Sequence, residues 1–500
     1  MTALRPSFLL SFAEKYTLLL LGVLASIVLS RLLPPAEVGL YALGAVLVSL
    51  AQVVRDFGVG QYLIQEKVLD RQKLRAALTA SMLVAWSLAL LVWLSSFPLA
   101  AWYREARLQQ VLQLLSINFI LLPFGAVTLA VLRRQLRFRA IYAINVANGV
   151  VNLLTAAGLA LLGHGALSLV WAALAGNLAS LLTALLLRPC GLPWLPALKG
   201  LRAVLGFGAL STGGGLFDEI GVAAPDLIIG KLLDLASLAL FGKAQSVLNL
   251  FNQAITSAVS PVLFPLFAAC EREGTEEKEG KQGGSKALYL RAVSYMTALA
   301  WPFFLFLACL ALPLVKLLYG AQWTGCASLI RIMCLPCAVY SMFSMGRYLL
   351  VASGHLPAQV RIDVWSALGK VALVLAAAPF GLAAVACAAA LGLLWRSWLS
   401  YRCLQQLHGI NAAALLASVR QSLGVCLLAS PAPLAMLWLP AGLPTSWCLL
   451  ALAGSGLVSL LCWLAGICWL RHALWEELRL LQQKLAGRTA PLASKGESCV

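Results

Sequence analysis

Residues 17–33 read T-L-L-L-L-G-V-L-A-S-I-V-L-S-R-L-L, a run in which Arg31 is the one charged side chain. A helix rises 1.5 Å per residue, so about 20 apolar residues cross a bilayer core. The stretch 12–33 meets that length, and comparable stretches follow from 38–63 through to 446–470. They give about fourteen candidate spans with short connections. The composition agrees: 500 residues, 61% hydrophobic, 11% charged, with mean hydropathy +0.88. Soluble domains carry roughly 25% charged residues. The reading is an all-α polytopic membrane protein.

Composition and spacing also exclude several classes of function. Cys309, Cys387, Cys426 and Cys462 lie inside apolar runs, where cysteine behaves as a small hydrophobe, so no disulfide scaffold is expected. Cys334 and Cys337 form an isolated C-x-x-C without a second pair, which is poor support for zinc. Gly230-Lys231, Gly242-Lys243, Gly280-Lys281 and Gly369-Lys370 are never followed by Ser or Thr, so no phosphate-binding loop is present to drive an ATP pump. No organic or metal cofactor is expected.

The 37 Lys+Arg against 19 Asp+Glu give a net charge of +18. Counted from an inside N-terminus, the inner loops carry Lys67, Arg71, Lys73 and Arg75, then Arg133, Arg134, Arg137 and Arg139, then Arg188, Lys199 and Arg202, then Arg272, Lys278, Lys281 and Lys286. The outer loops hold Arg31, Arg104, Arg107 and Lys316. The positive-inside rule then places both termini in the cytoplasm and turns the excess charge into a topological signal, with no nucleic-acid partner. The polar stretch 271–286 reads as a mobile inner loop. Leu474, Trp475, Leu478, Leu481 and Leu485 have helical spacing, which suits a tail helix lying on the inner membrane surface or, equally, a solvated one.

Laying the chain on itself at an offset of 200 aligns Arg31-Leu32-Leu33 with Lys231-Leu232-Leu233, and Ala36, Leu40, Tyr41 and Leu50 with Ala236, Leu240, Phe241 and Leu250. An even number of helices separates the two copies, so the repeat is parallel. The expected organisation is a six-helix lobe over 1–200, a second over 201–410, two further helices over 411–470 and a cytoplasmic amphipathic tail over 471–500. Two such lobes suit an alternating-access transporter with its substrate between them.

The stretch Ser30-Arg31-Leu32-Leu33-Pro34-Pro35-Ala36-Glu37-Val38-Gly39-Leu40-Tyr41, followed by Asp56-Phe57-Gly58-Val59-Gly60, carries a family likeness. So do Asp226 to Lys231 with Leu240 to Ala244, and Tyr319-Gly320 with Gln322-Trp323. These resemble the polysaccharide transporters, the Wzx-type O-antigen and exopolysaccharide flippases, of the multidrug/oligosaccharidyl-lipid/polysaccharide (MOP) exporter superfamily. The likeness extends over roughly 10–410, with Val38 where an aromatic is common and Lys231 where Arg is common. It implies a flippase moving undecaprenyl-diphosphate-linked oligosaccharide units across a bacterial inner membrane for surface polysaccharide synthesis. It also implies membrane lipid as surroundings, and leaves open a polymerase and a chain-length regulator as partners.

Ionisable side chains at membrane depth are costly and mark pathways or partners. Lys243, Arg347, Lys370 and Arg396 are the deep cations, suited to a lipid diphosphate because Arg donates two hydrogen bonds and Lys acts as a point charge. Arg347 and Arg396 lie about 12 Å from the predicted inner ends, where snorkelling is the alternative. Asp218 and Glu219 follow Gly213-Gly214-Gly215, where a loosened helix suits a coupling H+ or Na+ site. Ion pairing with Lys243 or Lys370 is the plainer role. Arg55, Asp56 and Asp226 complete the pathway candidates, with mutual pairing the alternative for Arg55 and Asp56. Glu14 and Lys15 read as interface anchors, and Trp102, Tyr103, Trp194, Trp323 and Trp447 as interface aromatics. Two rivals remain: a cation-coupled drug exporter, which would be expected to have an acidic pocket without deep cations, and a membrane enzyme of polysaccharide assembly, which would normally present catalytic groups on a sizeable outer loop.

Overall fold

The computed structural model describes residues 4–56, 59–66, 70–189, 192, 197, 201–276, 282–438, 445–477 and 479, with side chains at 4–9, 11, 56, 61, 64–65, 202–203, 205–218, 272–276, 282–283, 438, 445–448 and 451 excepted. Among them there are helices and no strands. In order these are α1 (Leu4–Leu32), α2 (Pro35–Asp56), α3 (Val59–Gln65), α4 (Arg71–Tyr103), α5 (Ala106–Arg134), α6 (Phe138–Leu161), α7 (Ala166–Leu186), α8 (Leu201–Leu232) and α9 (Leu235–Phe251). There follow α10 (Ser257–Glu276), α11 (Gln282–Tyr319), α12 (Gly325–Ser341), α13 (Gly346–Ala352), α14 (Leu356–Ala377), α15 (Leu382–His408), α16 (Ala412–Ala429), α17 (Pro431–Ala435) and α18 (Thr445–Trp469).

Thirteen of the described helical segments are long and apolar enough to span a membrane. The 32-residue α8 matches a further expected span, so the chain is the all-α polytopic protein its hydropathy indicates. Helix starts follow local chemistry. Asp70 and Asp234 accept from the backbone N–H of Lys73 and Ser237 at 2.7 and 2.5 Å, the bond that satisfies an orphan donor in the first turn. Pro35 opens α2, where its missing N–H costs nothing.

Two helix breaks fall 200 residues apart. The first and second copies break between Leu32 and Pro35 and between Leu232 and Leu235. Midway along the following span, α9 passes into α10 through a π-turn at Asn252–Thr256. Helix α8 runs unbroken through Gly213-Gly214-Gly215, where the sequence suggests loosening; the helical hydrogen bonds persist without Cβ atoms. Helices α10 and α11 extend into the polar stretch 271–286 from either side, because its Glu, Gln and Lys residues are good helix formers. Residues 277–281 lie outside the described residues, as do Trp194 and, for its side chain, Trp447. Residues 473–477 begin the expected tail helix, and the positions from 480 onward lie outside the described residues.

The chain divides into two compact units, the first comprising Met1–Ile255, Ala311–Met333 and Val360–Arg396. Its α4 and α5 pack closely, with Ala76, Ala77 and Ala80 buried against Val127 and Val131. Small side chains at such seams bring helices together where lipid offers no hydrophobic drive. The second unit comprises Thr256–Leu310, Cys334–Gln359 and Ser397–Val500. Within it the fully buried Tyr289 donates to the Met342 carbonyl at 3.0 Å, and the Trp463 indole to the Ala298 carbonyl at 2.8 Å.

His472, also fully buried, ties the turn after α18 to this unit. Its Nδ1 accepts from the Leu474 N–H at 3.2 Å, which leaves the proton on Nε2, 3.0 Å from Ser294 Oγ and 3.1 Å from Ser422 Oγ. Burial holds its pKa below the ordinary imidazole value.

Candidate functional site

The residues of the 30–41 stretch each do a separate job. Arg31, in the last turn of α1, donates Nη2 to the Leu317 carbonyl and Nε to the Leu318 carbonyl, the latter at 3.3 Å. Those carbonyls lie in the last turn of α11, where no intrahelical donor remains and the helix dipole is negative. The bonding is mutual. Gln322 Nε2 donates to the carbonyls of Ser30 at 2.6 Å and Leu33 at 3.2 Å, and Trp323 Nε1 to Ser30 at 2.7 Å. The Y-G-x-Q-W segment and the S-R-L-L segment therefore satisfy each other's helix ends. Trp323 is fully buried, not an interface aromatic; its indole N–H requires the acceptor that α1 provides.

Glu37 works inside the first half of the repeat. One oxygen pairs with Arg107 Nη1 at 2.7 Å and the other accepts from the N–H of Ala166, the first residue of α7, at 2.7 Å. Helices α2, α5 and α7 are thus joined by one carboxylate. Gly39 faces α9 so closely that a Cβ there would overlap the Leu235 carbonyl oxygen, which is the close approach that glycine permits.

The second copy repeats the capping with different chemistry. Lys231, which aligns with Arg31, donates Nζ to the Trp102 carbonyl in the last turn of α4 and lies 4.7 Å above the Trp102 ring. Tyr103 donates to the Leu227 carbonyl at 3.4 Å beside it.

Among the deep cations, Lys243 donates to Ser26 Oγ at 3.0 Å and sits 4.8 and 5.0 Å from the ring centres of Tyr319 and Trp323. It therefore lies beneath the same junction. Arg396 pairs with Asp363 and donates to Ser366 Oγ at 3.3 Å, joining α15 to α14. Lys370 interacts electrostatically with Asp226, and the Asp226 Oδ1 is buried without a hydrogen-bond partner. The Asp226 carboxylate of α8 and the Lys370 ammonium of α14 are thus within electrostatic reach of each other in the first unit. Arg347 is exposed on α13, in the second unit. Glu219 and Arg55 are half-buried on α8 and α2, whereas the side chains of Asp56 and Asp218 lie outside the described residues.

Two features escape a reading by sequence. Asp363 is about two turns inside a span and acquires meaning only when α15 brings Arg396 against it. The other is a polar chain through α5, α6 and α7: Asn148 donates to Asn177 at 3.2 Å and Asn177 to Asn118 at 2.7 Å. On the same helix as Asn148, Asn145 donates to Glu14 at 2.6 Å, so Glu14 bonds within the bundle in place of a simple interface role. The signal was present as Asn145 and Asn148, three apart on one helix face.

The family model described as polysaccharide biosynthesis protein matches residues 28–328. The succinoglycan biosynthesis transport protein ExoT of Rhizobium meliloti is 25% identical over 64% of this chain and 64% of its own. The teichuronic acid biosynthesis protein TuaB of Bacillus subtilis is 21% identical over 61% of this chain and 62% of its own. The chain spans a little over six-tenths of the length of these relatives. The fold is similar to that of the lipid II flippase MurJ in an inward closed conformation, with a TM-score of 0.68 at 13% identity, covering 93% of this chain and 99% of the other. It is also similar to an inward-facing multidrug resistance MATE transporter of the MOP superfamily, with a TM-score of 0.63 at 15% identity over 78% of this chain and 94% of the other. A match across more than half of the chain, on the helical membrane fold described above, places this protein in the polysaccharide biosynthesis protein family, with the fold of the MOP exporters.

Proposed function

We propose that the protein flips lipid-linked oligosaccharide units, carried on undecaprenyl diphosphate, from the inner to the outer leaflet of a bacterial inner membrane by alternating access. The observation that carries the reading is the polysaccharide biosynthesis family match over 28–328, set in a fold similar to that of the lipid II flippase MurJ. Lys243, Arg347, Lys370 and Arg396 are the groups assigned to the diphosphate, whose charge must be offset in a low-dielectric passage. Asp226, with Lys370 beside it, is the preferred coupling group for H+ or Na+, because its unbonded oxygen is available to a cation. No covalent step is required of the protein. The termini lie in the cytoplasm, and a polymerase and a chain-length regulator act on the flipped unit.

The test is a deletion strain with and without the wild-type gene, scored for surface polysaccharide and for the leaflet holding lipid-linked repeat units. Loss of surface polymer with units trapped on the inner leaflet is the expected result. Units that reach the outer leaflet but fail to polymerise would move the assignment to an assembly enzyme. An unchanged glycan would favour export of soluble compounds.

A further inference from the structure

Arg31 and Lys231 occupy matching places in the two copies of the repeat, and each caps a helix of the opposite copy. Arg31 of the first copy holds the end of α11, and Lys231 of the second holds the end of α4. All of these contacts lie at the end of the helices that charge asymmetry assigns to the outside. The contact between α2 and α9, themselves counterparts in the repeat, is made at the same end, where Gly39 meets Leu235. The parts of α11, α12, α14 and α15 nearest their outer connections belong to the compact unit that contains the first copy.

We propose that Arg31 and Lys231 are the outer gate of the transporter, a pair of cross-copy helix caps that must release before the pathway opens outward. The proposal rests on the alternating-access reading and supplies its gating residues. The two caps are unequal. Arg31 makes two bonds and is backed by Gln322 and Trp323, whereas Lys231 makes one and is backed by Tyr103. The Lys231 side is therefore the first to yield. Lys243 couples the Arg31 side to the interior, because the Tyr319 and Trp323 rings that belong to the cap also cover its ammonium. A diphosphate arriving at Lys243 competes with those rings and loosens the cap from within.

A native side chain reports the opening. Cys326, at the start of α12 and three residues beyond the Trp323 that backs Arg31, is fully buried and donates its thiol to the Leu240 carbonyl at 3.3 Å. Its labelling by a membrane-impermeant maleimide is followed by peptide mass spectrometry on full-length protein in vesicles, comparing wild type with Arg31→Ala, Lys231→Ala and the double variant. Each removed charge-assisted bond is expected to raise the Cys326 labelling rate about tenfold, with Arg31→Lys restoring part of the protection. If the double variant does not accumulate, Lys231→Ala alone decides, since it removes one bond. Gly39→Leu, which forces α2 from α9 with both cations intact, is expected to expose Cys326 as well. Unchanged labelling in a folded Lys231→Ala variant would overturn the gate. Labelling does not depend on which molecule is carried, so a gate that responds in a strain with unchanged glycan would refute the lipid-linked substrate and leave the gate standing.

Discussion

Lys243, Arg396 and Asp363 are engaged at membrane depth, and the partner decides what a substitution does. Arg396 and Asp363 hold one another within the α14–α15 hairpin, both less than about one-third exposed. Removing the arginine takes the Arg396 charge away from a half-buried carboxylate, a loss of up to about 3–5 kcal/mol, whereas removing both spares most of it. Arg396→Ala should therefore accumulate poorly and melt early, and Arg396→Ala/Asp363→Ala should recover much of both, as read by fluorescence size exclusion after heating. Equal damage in the single and double variants would mean that Arg396 acts in some other way than through Asp363. Arg396 was legible in the sequence as a deep cation. Its partner was not, because α14 and α15 meet only through the fold, with 33 positions between the pair.

At the scale of elements, hydropathy located the spans because one crossing needs the same length of apolar chain everywhere. It could not show how helix ends are satisfied. Arg31 and its acceptors are 286 and 287 positions apart, and Trp323 reads as an interface aromatic until α1 is seen to supply its acceptor. The docking of the turn after α18 was hidden for the same reason. His472 is held neutral between α11 and α16, with its folded pKa below the 6.5 of a free imidazole. A histidine of this kind adds its full stability above pH 6.5 and loses it as the pH falls from there through the lowered folded value. The melting temperature of the purified protein should therefore fall between pH 7.5 and 5.5 by more in wild type than in His472→Gln. Parallel pH profiles for the two proteins would exclude His472 as the cause.

At the scale of the whole molecule, the 200-residue offset was readable as a chain alignment, and what the aligned residues bond to was not. The alignment pairs Arg31 with Lys231, but only the fold shows that each reaches across to the other copy. The contact has a further property. Five carbonyls at helix ends, those of Ser30, Leu33, Trp102, Leu317 and Leu318, accept from donors of the opposite copy. In the proposed alternating-access cycle the copies part there, and those oxygens then need replacement donors, which only solvent supplies. Such a cycle would hydrate and dry this end, and the number of molecules taken up would make it sensitive to water activity. Raising osmotic pressure with a solute too large to enter should slow transport while leaving the affinity for substrate at the inner face unchanged. The same stress should act less on Lys231→Ala, which has already lost one of the caps that solvent must replace.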